Sequence, residues 1–164
     1  MDKNSKIKAL FFDIDGTLVS FQTHRIPQST VEALEKAKLN GVKIYISTGR
    51  PIILITNLGQ IEHLIDGYIT TNGARCFVEN HTVCQCPILR SDVEKVIEAA
   101  DRDDYSVIVV GEKHLAIHHL TPVVEKIFVE GLGVDSLDFQ TNIDDLKDED
   151  ILQLTPFCSV EQES

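Results

Sequence analysis

Three short apolar runs mark the first half of the chain, at residues 8–12, 42–46 and 68–71. Each is rich in aromatic or β-branched residues and too short for a helix, so each predicts a buried strand. The segments between these runs carry apolar residues at helical spacing. Strand and helix therefore alternate, which predicts a parallel sheet with helices on its faces.

Two helices are expected between these strands. The first follows the Ser29–Glu32 capping-box pattern and ends near Gly41. Pro51 suits the first turn of a second helix. The apolar positions assigned to this second helix are Ile52, Ile55 and Leu58.

The second half of the chain has a different pattern, in which strand pairs alternate with helices. Ser91 and Glu94 again have capping-box spacing and predict a helix to about Asp101. The other predicted elements are a hairpin of 74–78 and 82–86, a strand pair of 106–110 and 114–118, a helix at 122–130 and a strand at 151–155. This order predicts an α+β module, with the domains divided as 1–82 and 83–164.

Composition narrows the classes of partner. The chain has 164 residues, 15 basic and 26 acidic, and a net charge of −11. Nucleic acids and anionic membranes are bound through Lys and Arg, so this balance argues against both. An acidic protein that binds a phosphate ester needs a metal ion or a local positive field.

The N-terminal segment contains no signal-peptide pattern, and no apolar run is long enough to span a membrane. A cytoplasmic protein with reduced thiols is therefore expected. A zinc site at His81, Cys84 and Cys86 is a weaker alternative, because C-x-C is not the usual ligand spacing. The histidines His114 and His118 with their neighbour His119 are interpreted as ordinary surface or core residues, with substrate contact as the alternative.

A polar residue follows each of the first three predicted strands: Asp13, Thr48 and Asn72. In open α/β sheets ligands bind beyond the carboxyl ends of the strands. The coincidence of three such residues predicts a ligand site at this edge of the sheet.

The segment Asp13-Ile14-Asp15-Gly16-Thr17 carries the strongest chemical signal. One carboxylate can attack phosphorus to form an aspartyl-phosphate, while the other donates and later accepts a proton. Gly16 allows close backbone approach, and N–H groups of the turn can bind phosphate oxygens. Two carboxylates facing a phosphate need a hard divalent cation, which favours Mg²⁺. The alternative is that the aspartates only start a turn or cap a helix.

Three segments resemble the haloacid dehalogenase (HAD) superfamily. Residues Phe11–Thr17 resemble its motif I, and Ile44–Arg50 resembles motif II of the Cof-type branch. Residues Thr70–Ala74 are similar to the segment leading into the Cof-type cap. The resemblance implies a partial HAD-like Rossmannoid α/β core and an α+β cap of type C2B.

The resemblance also implies roles for individual residues. Asp13 would be the nucleophile and Asp15 the general acid/base, and both would bind Mg²⁺, Asp15 through its backbone carbonyl. The implied phosphate or substrate contacts are Ile14, Gly16, Thr17, Thr48, Gly49, Arg50 and Asn72. Three alternatives stay open: Thr48 as a helix cap, Arg50 in a structural ion pair, and Asn72–Gly73 as only a turn.

The implied function is a Mg²⁺-dependent phosphatase acting on a small phosphomonoester, such as a sugar phosphate. A phosphomutase and a non-catalytic phosphate-binding remnant are the alternatives. The order of Asp13, Asp15 and Gly16 argues against a signalling receiver domain. The family's motif III lysine and motif IV acidic loop have no match after the cap-like region. We therefore expect a truncated chain that is weakly active or inactive alone and that self-associates through exposed apolar core surface.

Overall fold

The computed structural model describes residues 7–126 and 142–158. The chain divides into two compact units, Met1–Gln85 and Cys86–Ser164. The division lies three residues beyond the predicted 82/83 boundary. Assignment of these units as core and cap stays a prediction. No helix in the described ranges is long and apolar enough to cross a membrane.

A five-stranded sheet forms the first unit, with the strands in chain order. The first three strands are parallel, and the last two add as an antiparallel hairpin. The strands are β1 (Ala9–Phe12), β2 (Lys43–Ser47), β3 (Gly67–Thr70), β4 (Arg75–Val78) and β5 (His81–Gln85). The predicted parallel sheet is confirmed, and the first predicted hairpin belongs to the same sheet because β4 pairs with β3.

Helix α1 (Gln28–Leu39) covers the sheet with Val31 and Leu34 buried in the core. Ser29 lies inside the helix, and Pro27 occupies the cap position without a side-chain hydrogen bond. The predicted capping box is therefore wrong here. Proline at this point already fixes a φ of −59°, so the helix can begin without a hydroxyl cap.

The second predicted helix, after Arg50, is also wrong. The chain there forms only two single-turn 3₁₀ helices, Ile52–Leu54 and Glu62–Leu64. The isoleucines in this stretch are β-branched and lower helix propensity, and Gly59 lowers it further. Burial of Leu58 and its apolar neighbours in the core stabilises this irregular path instead.

The second unit contains a three-stranded antiparallel sheet in the order β7-β6-β8. Its described elements are α2 (Arg90–Asp103), β6 (Ser106–Val110), β7 (Leu115–His118), α3 (Pro122–Lys126) and β8 (Gln153–Phe157). The predicted strand pair is confirmed, and the last strand begins two residues later than predicted. The part of the predicted 122–130 helix beyond residue 126 lies outside the described residues.

Helix α2 begins without the predicted Ser91 cap, because Leu89 occupies the cap position. The Arg90 guanidinium instead donates to the carbonyls of Leu146, Lys147 and Glu149. Glu149 accepts backbone N–H groups from the β6–β7 turn. Partial burial by itself raises the pKa of Glu149. The hydrogen bonds from the backbone and from the His114 side chain outweigh this effect, so the pKa lies below its ordinary value.

Candidate active site

The polar residues of the predicted site follow three parallel strands. Phe12 of β1 pairs with Ile46 of β2, and Ser47 of β2 pairs with Ile69 of β3. The residues that follow these strands therefore lie at one edge of the sheet. The structure brings the loops containing Asp13, Thr48 and Asn72 to that edge, as the alternation pattern predicted.

A tight turn follows Asp13. The Ile14 side chain is fully buried, and its carbonyl accepts N–H groups from Thr17, Leu18 and Val19. Gly16 has a φ of +75° and donates its N–H to the Val19 carbonyl at 2.9 Å. The N–H groups of Gly16 and Thr17 thus serve the turn itself.

Asp13 is exposed at the start of this turn. Its carboxylate makes no hydrogen bond or ion pair with any residue in the described ranges. A carboxylate in this state is available to a metal ion or to an electrophile.

Asp15 is held by Arg50, which lies 35 residues further along the chain. The guanidinium donates from Nε to Oδ2 and from Nη2 to Oδ1, each at 2.8 Å. It also donates from Nη1 to the Leu54 carbonyl at 3.0 Å. This bidentate contact fixes the plane of the Asp15 carboxylate. Each oxygen keeps a second lone pair for proton transfer.

Thr48 is buried beside the same loop, with 6% of its surface exposed. Its Oγ1 accepts the Arg50 N–H at 3.1 Å, and its own N–H donates to the Ile69 carbonyl at 2.9 Å. The hydroxyl thus supports the turn, which resembles the capping alternative although no α-helix follows. The hydroxyl hydrogen has no acceptor among the described residues.

The loop after β3 has an unusual backbone. Thr71, Asn72 and Gly73 have successive φ values of +55°, +53° and +92°. A β-branched residue with positive φ is a conformational outlier, and such strain clusters at functional sites. Sequence reasoning missed Thr71, because nothing in its residue type indicates this conformation. The Thr71 N–H donates to the Arg50 carbonyl at 3.0 Å and ties the two loops together.

Asn72 faces Gly49 across these loops. A Cβ atom placed on Gly49 would lie 2.9 Å from Asn72 Oδ1. Asn72 and Gly49 line a shallow groove together with residues at the ends of β2 and β3. The lining residues are Ser47, Thr48, Gly49, Ile69, Asn72 and Gly73. The side chain of Arg50, predicted to contact phosphate, points to Asp15 instead.

The oxygen donors of the turn fit the predicted Mg²⁺. The Asp13 carboxylate has no hydrogen-bond or ion-pair partner in the described part of the chain, and the Asp15 carbonyl accepts none of the turn's backbone hydrogen bonds. Hard oxygen donors of this kind are the ligands that Mg²⁺ prefers.

A second charged cluster lies at the opposite edge of the sheet, before β3. Asp66 accepts hydrogen bonds from Lys38 Nζ at 2.7 Å, Lys43 Nζ at 2.8 Å and the Ile44 N–H at 2.8 Å. Partial burial raises the pKa of Asp66, but these donors together lower it to about 2. This cluster joins α1 to the sheet and is distant in the topology from the strand ends of the candidate site.

The three parallel strands and the carboxylate pair at a strand end define an α/β protein whose ligand site is expected beyond the carboxyl ends of its strands. A family model described as haloacid dehalogenase-like hydrolase matches residues 10–164. The chain belongs to this family. The resemblance predicted from the three motifs is confirmed.

Relatives of known structure agree with this assignment. The HAD subclass IIB sugar phosphatase BT4131 is 42% identical, with a TM-score of 0.83 over 95% of this chain and 60% of its own. The HAD phosphatase BT1666 from Bacteroides thetaiotaomicron is 32% identical, with a TM-score of 0.80 over 99% and 60%. The predicted HAD-like α/β fold is confirmed.

Among curated proteins, a 5-amino-6-(5-phospho-D-ribitylamino)uracil phosphatase, YcsE of Bacillus subtilis, is 30% identical over 86 residues. The match covers 52% of this chain and 34% of that protein. The chain thus spans about a third or less of the curated relatives and about 60% of the solved ones.

Proposed function

We propose that this protein hydrolyses a small phosphomonoester through an aspartyl-phosphate on Asp13. One observation carries the proposal. The Asp13 carboxylate is exposed where three parallel strands end and contacts no partner within residues 7–126 and 142–158, while Asp15 beside it is fixed by Arg50. Family membership and phosphatase relatives support the same reaction class.

The reaction has two steps. An Asp13 carboxylate oxygen attacks phosphorus, the bond to the leaving oxygen breaks, and Asp15 donates a proton to that oxygen. Water then attacks the phosphorus of the aspartyl-phosphate. Asp15 takes a proton from this water, the acyl-phosphate P–O bond breaks, and inorganic phosphate leaves with Asp13 restored.

Neighbouring groups supply orientation. Arg50 acts as a positioning residue for Asp15, and the Thr48 hydroxyl donates to a phosphoryl oxygen. The N–H groups of Ile14 and Gly49 donate to no carbonyl among the described residues, so they are the proposed backbone donors. Asn72, across from Gly49, contacts the substrate. Gly16 and Thr17 stay predicted phosphate contacts, although their backbone N–H groups donate within the turn.

Mg²⁺ is the proposed cofactor. Asp13, through its carboxylate, and Asp15, through its backbone carbonyl, would hold it. When bound, the cation neutralises charge on the phosphate oxygens and on Asp13.

A sugar phosphate is the proposed substrate, because a 42% identical relative is a sugar phosphatase. A phosphomutase differs only in the acceptor, a sugar hydroxyl in place of water. The 164 residues alone are proposed to turn over weakly or not at all, since no segment matches the family's lysine and second acidic motif. Self-association is supported by the exposure of Phe11 on β1, which is 58%. A cytoplasmic location stays a prediction.

The test separates phosphorylation from turnover. The chain is incubated with a small phosphoryl donor such as acetyl phosphate, with and without Mg²⁺, and the phosphorylated residue is identified by mass spectrometry. Phosphate release from an aryl phosphate is measured in parallel. The variants are Asp13→Asn and, as the matched control, Asp144→Asn, an exposed carboxylate in the second unit.

A Mg²⁺-dependent phosphoryl adduct on Asp13, absent in Asp13→Asn and kept in Asp144→Asn, supports the proposal. Release of phosphate in addition contradicts the expectation of an inactive chain. Adducts on another residue, or an equal adduct in Asp13→Asn, would refute the assigned nucleophile.

A further inference from the structure

A cluster of two imidazoles and one carboxylate lies within the second unit, at the end of β7. His118 is the last residue of that strand, His119 follows it, and Asp101 lies in the last turns of α2. The Nε2 atoms of His118 and His119 are 2.7 and 3.0 Å from the same Asp101 Oδ1. One ligand atom from each residue lies within 4.8 Å of the others.

The backbone brings the two rings together. Successive side chains of a strand point to opposite faces, so neighbouring histidines would normally diverge. His119 instead has a φ of +54°. The rings consequently stack on one side, with centroids 4.3 Å apart and an angle of 19° between planes. Ser106 on β6 donates its hydroxyl to the His119 carbonyl and helps hold this conformation.

Hydrogen bonding leaves one nitrogen unexplained. His118 Nε2 forms the hydrogen bond with Asp101 Oδ1, whereas His119 Nε2 lies 3.0 Å from the same oxygen without one, which leaves His119 Nδ1 as its other ring nitrogen. That Nδ1 is buried and has no hydrogen-bond partner among the described residues. Asp104 Oδ1, which lies 3.7 Å from this nitrogen, is itself an acceptor. The opposite tautomer, with Nδ1 protonated and Nε2 free, would place a donor toward Asp104.

A metal ion bound at Nε2 would impose that tautomer. Metal-ligating histidines commonly donate their other ring N–H to a carboxylate, which orients the ring. Asp104 Oδ1 lies 3.7 Å from His119 Nδ1 on an almost fully exposed side chain, so it would have to move closer to take that role. The residues are also open to solvent, with 19%, 34% and 55% exposure of the His118, His119 and Asp101 side chains.

We propose that Asp101, His118 and His119 form a site for a divalent transition-metal ion of the Zn²⁺ class. Two imidazole nitrogens and one carboxylate oxygen suit Zn²⁺, Co²⁺ or Ni²⁺ rather than Mg²⁺. Water would complete the coordination. Because the ligands join the end of α2 to the end of β7, a bound ion stabilises the second unit. The proposal is independent of the proposed phosphatase activity.

The four cysteines are the main competitors for such an ion, Cys84 and Cys86 with His81 above all. Within residues 7–126 and 142–158, three ligand-type side chains lie close enough to bind one ion in the cluster at His118, but not at Cys84 and Cys86. Co²⁺ is therefore the probe of choice. Imidazole and carboxylate ligation gives visible ligand-field bands, whereas thiolate ligation adds near-ultraviolet charge-transfer absorption.

Co²⁺ is titrated into the full chain in excess Mg²⁺, which competes for exposed carboxylates such as Asp13. The variants are Asp101→Asn, His118→Ala and His119→Ala, with His81→Ala as the matched control. We expect one equivalent bound without a thiolate band. Each ligand variant should weaken binding at least about tenfold, since even outer residues of metal sites contribute 10–100-fold. His81→Ala should bind like the unchanged chain.

Paramagnetic broadening gives a second readout that needs no variant. Bound Co²⁺ should broaden the amide signals at the ends of α2 and β7 before those of β5. Broadening centred on β5, a thiolate band, or loss of binding in His81→Ala would move the ion to the cysteine segment and overturn the proposal. Equal affinity in all variants, or no binding by the unchanged chain, would overturn it too.

Discussion

The contact between Asp15 and Arg50 predicts a measurable coupling free energy in the first unit. Asp15→Asn and Arg50→Ala are made singly and together, and the free energy of unfolding is measured for each. If the two side chains stabilise one another, the double variant loses less than the sum of the single ones. Arg50→Ala alone should cost more than the coupling, because it also leaves the Leu54 carbonyl without its donor.

The distances and solvent exposure of Asp15 and Arg50 determine the expected size of the coupling free energy. Two N–H groups of Arg50 each lie 2.8 Å from an Asp15 oxygen, and the side chains are 12% and 36% exposed. Hydrogen bonds to charged groups contribute about 1.5–3 kcal/mol, whereas exposed ion pairs contribute about 0.2–1 kcal/mol. Since solvent screens the more exposed Asp15, we expect a coupling of about 1–2 kcal/mol.

Native-state hydrogen exchange is the suitable assay, because two compact units need not unfold together. Amides of β2 report the first unit, and amides of α2 provide an internal reference in the same sample. The pair of Lys95 and Asp92 is the matched control. It has the same 2.8 Å separation, but its side chains are 72% and 50% exposed.

The control pair should show a much weaker coupling, because solvent screens both of its largely exposed side chains. If Asp15 and Arg50 couple no more strongly than this pair, the guanidinium does not fix the carboxylate. Its proposed positioning role would then be wrong. A coupling in the predicted range at the β2 amides, with none at the α2 amides, would support the positioning role of Arg50.

Two further predictions concern the same unit. Because the pKa of Asp66 is lowered from 3.8 to about 2, its contribution is present above pH 3.8 and is lost as the pH falls toward 2. The unfolding free energies of the unchanged chain and of Asp66→Asn should therefore approach each other over that pH range. After allowance for solvent screening, their difference should shrink by on the order of 1–2 kcal/mol. A difference that stays constant with pH would contradict this prediction. Gly49→Ala should displace Asn72, whose Oδ1 would lie 2.9 Å from the new Cβ, and lower Asp13 phosphorylation without unfolding the chain. Gly59→Ala, where no atom lies within 4 Å, is the control, and equal phosphorylation in both variants would contradict the role of Asn72.

The sequence predicted the strands well because they depend on local apolar runs. Residues 8–12, 42–46 and 68–71 each correspond to a strand shifted by about one residue. Helix starts were predicted less well, since Ser29 and Ser91 match a pattern that the chain does not use. At both helix starts the cap position is held by a residue without a side-chain acceptor, Pro27 or Leu89, and its backbone carbonyl accepts the first N–H groups of the helix.

The failed helix after Arg50 has a different cause. Its spacing of apolar residues fits a helix, but the Arg50 side chain donates to the Leu54 carbonyl and to Asp15. These contacts hold the chain close to the strand ends, where the core accepts Leu58 from an irregular path. Spacing within a segment does not reveal such long-range contacts.

The candidate site shows the same division between local and long-range information. Asp13, Thr48 and Asn72 could be placed at one edge because strand alternation fixes where each strand ends. The partner of Arg50 could not be predicted from the sequence, because a guanidinium binds a phosphate and a carboxylate equally well. Only the fold brings Asp15 within 2.8 Å of it.

The strained loop after β3 connects these observations to function. The positive φ values of Thr71 and Asn72, which unlike Gly73 carry a Cβ, cost free energy that a simple connection to β4 would not require. The Thr71 N–H bond to the Arg50 carbonyl offsets part of that cost and places Asn72 against Gly49. Arg50 thus contacts Asp15 through its side chain and the Thr71 loop through its backbone. Substituting the Arg50 side chain therefore removes the contact with the proposed acid/base, whereas the backbone hydrogen bond to the loop of the proposed substrate contact can stay.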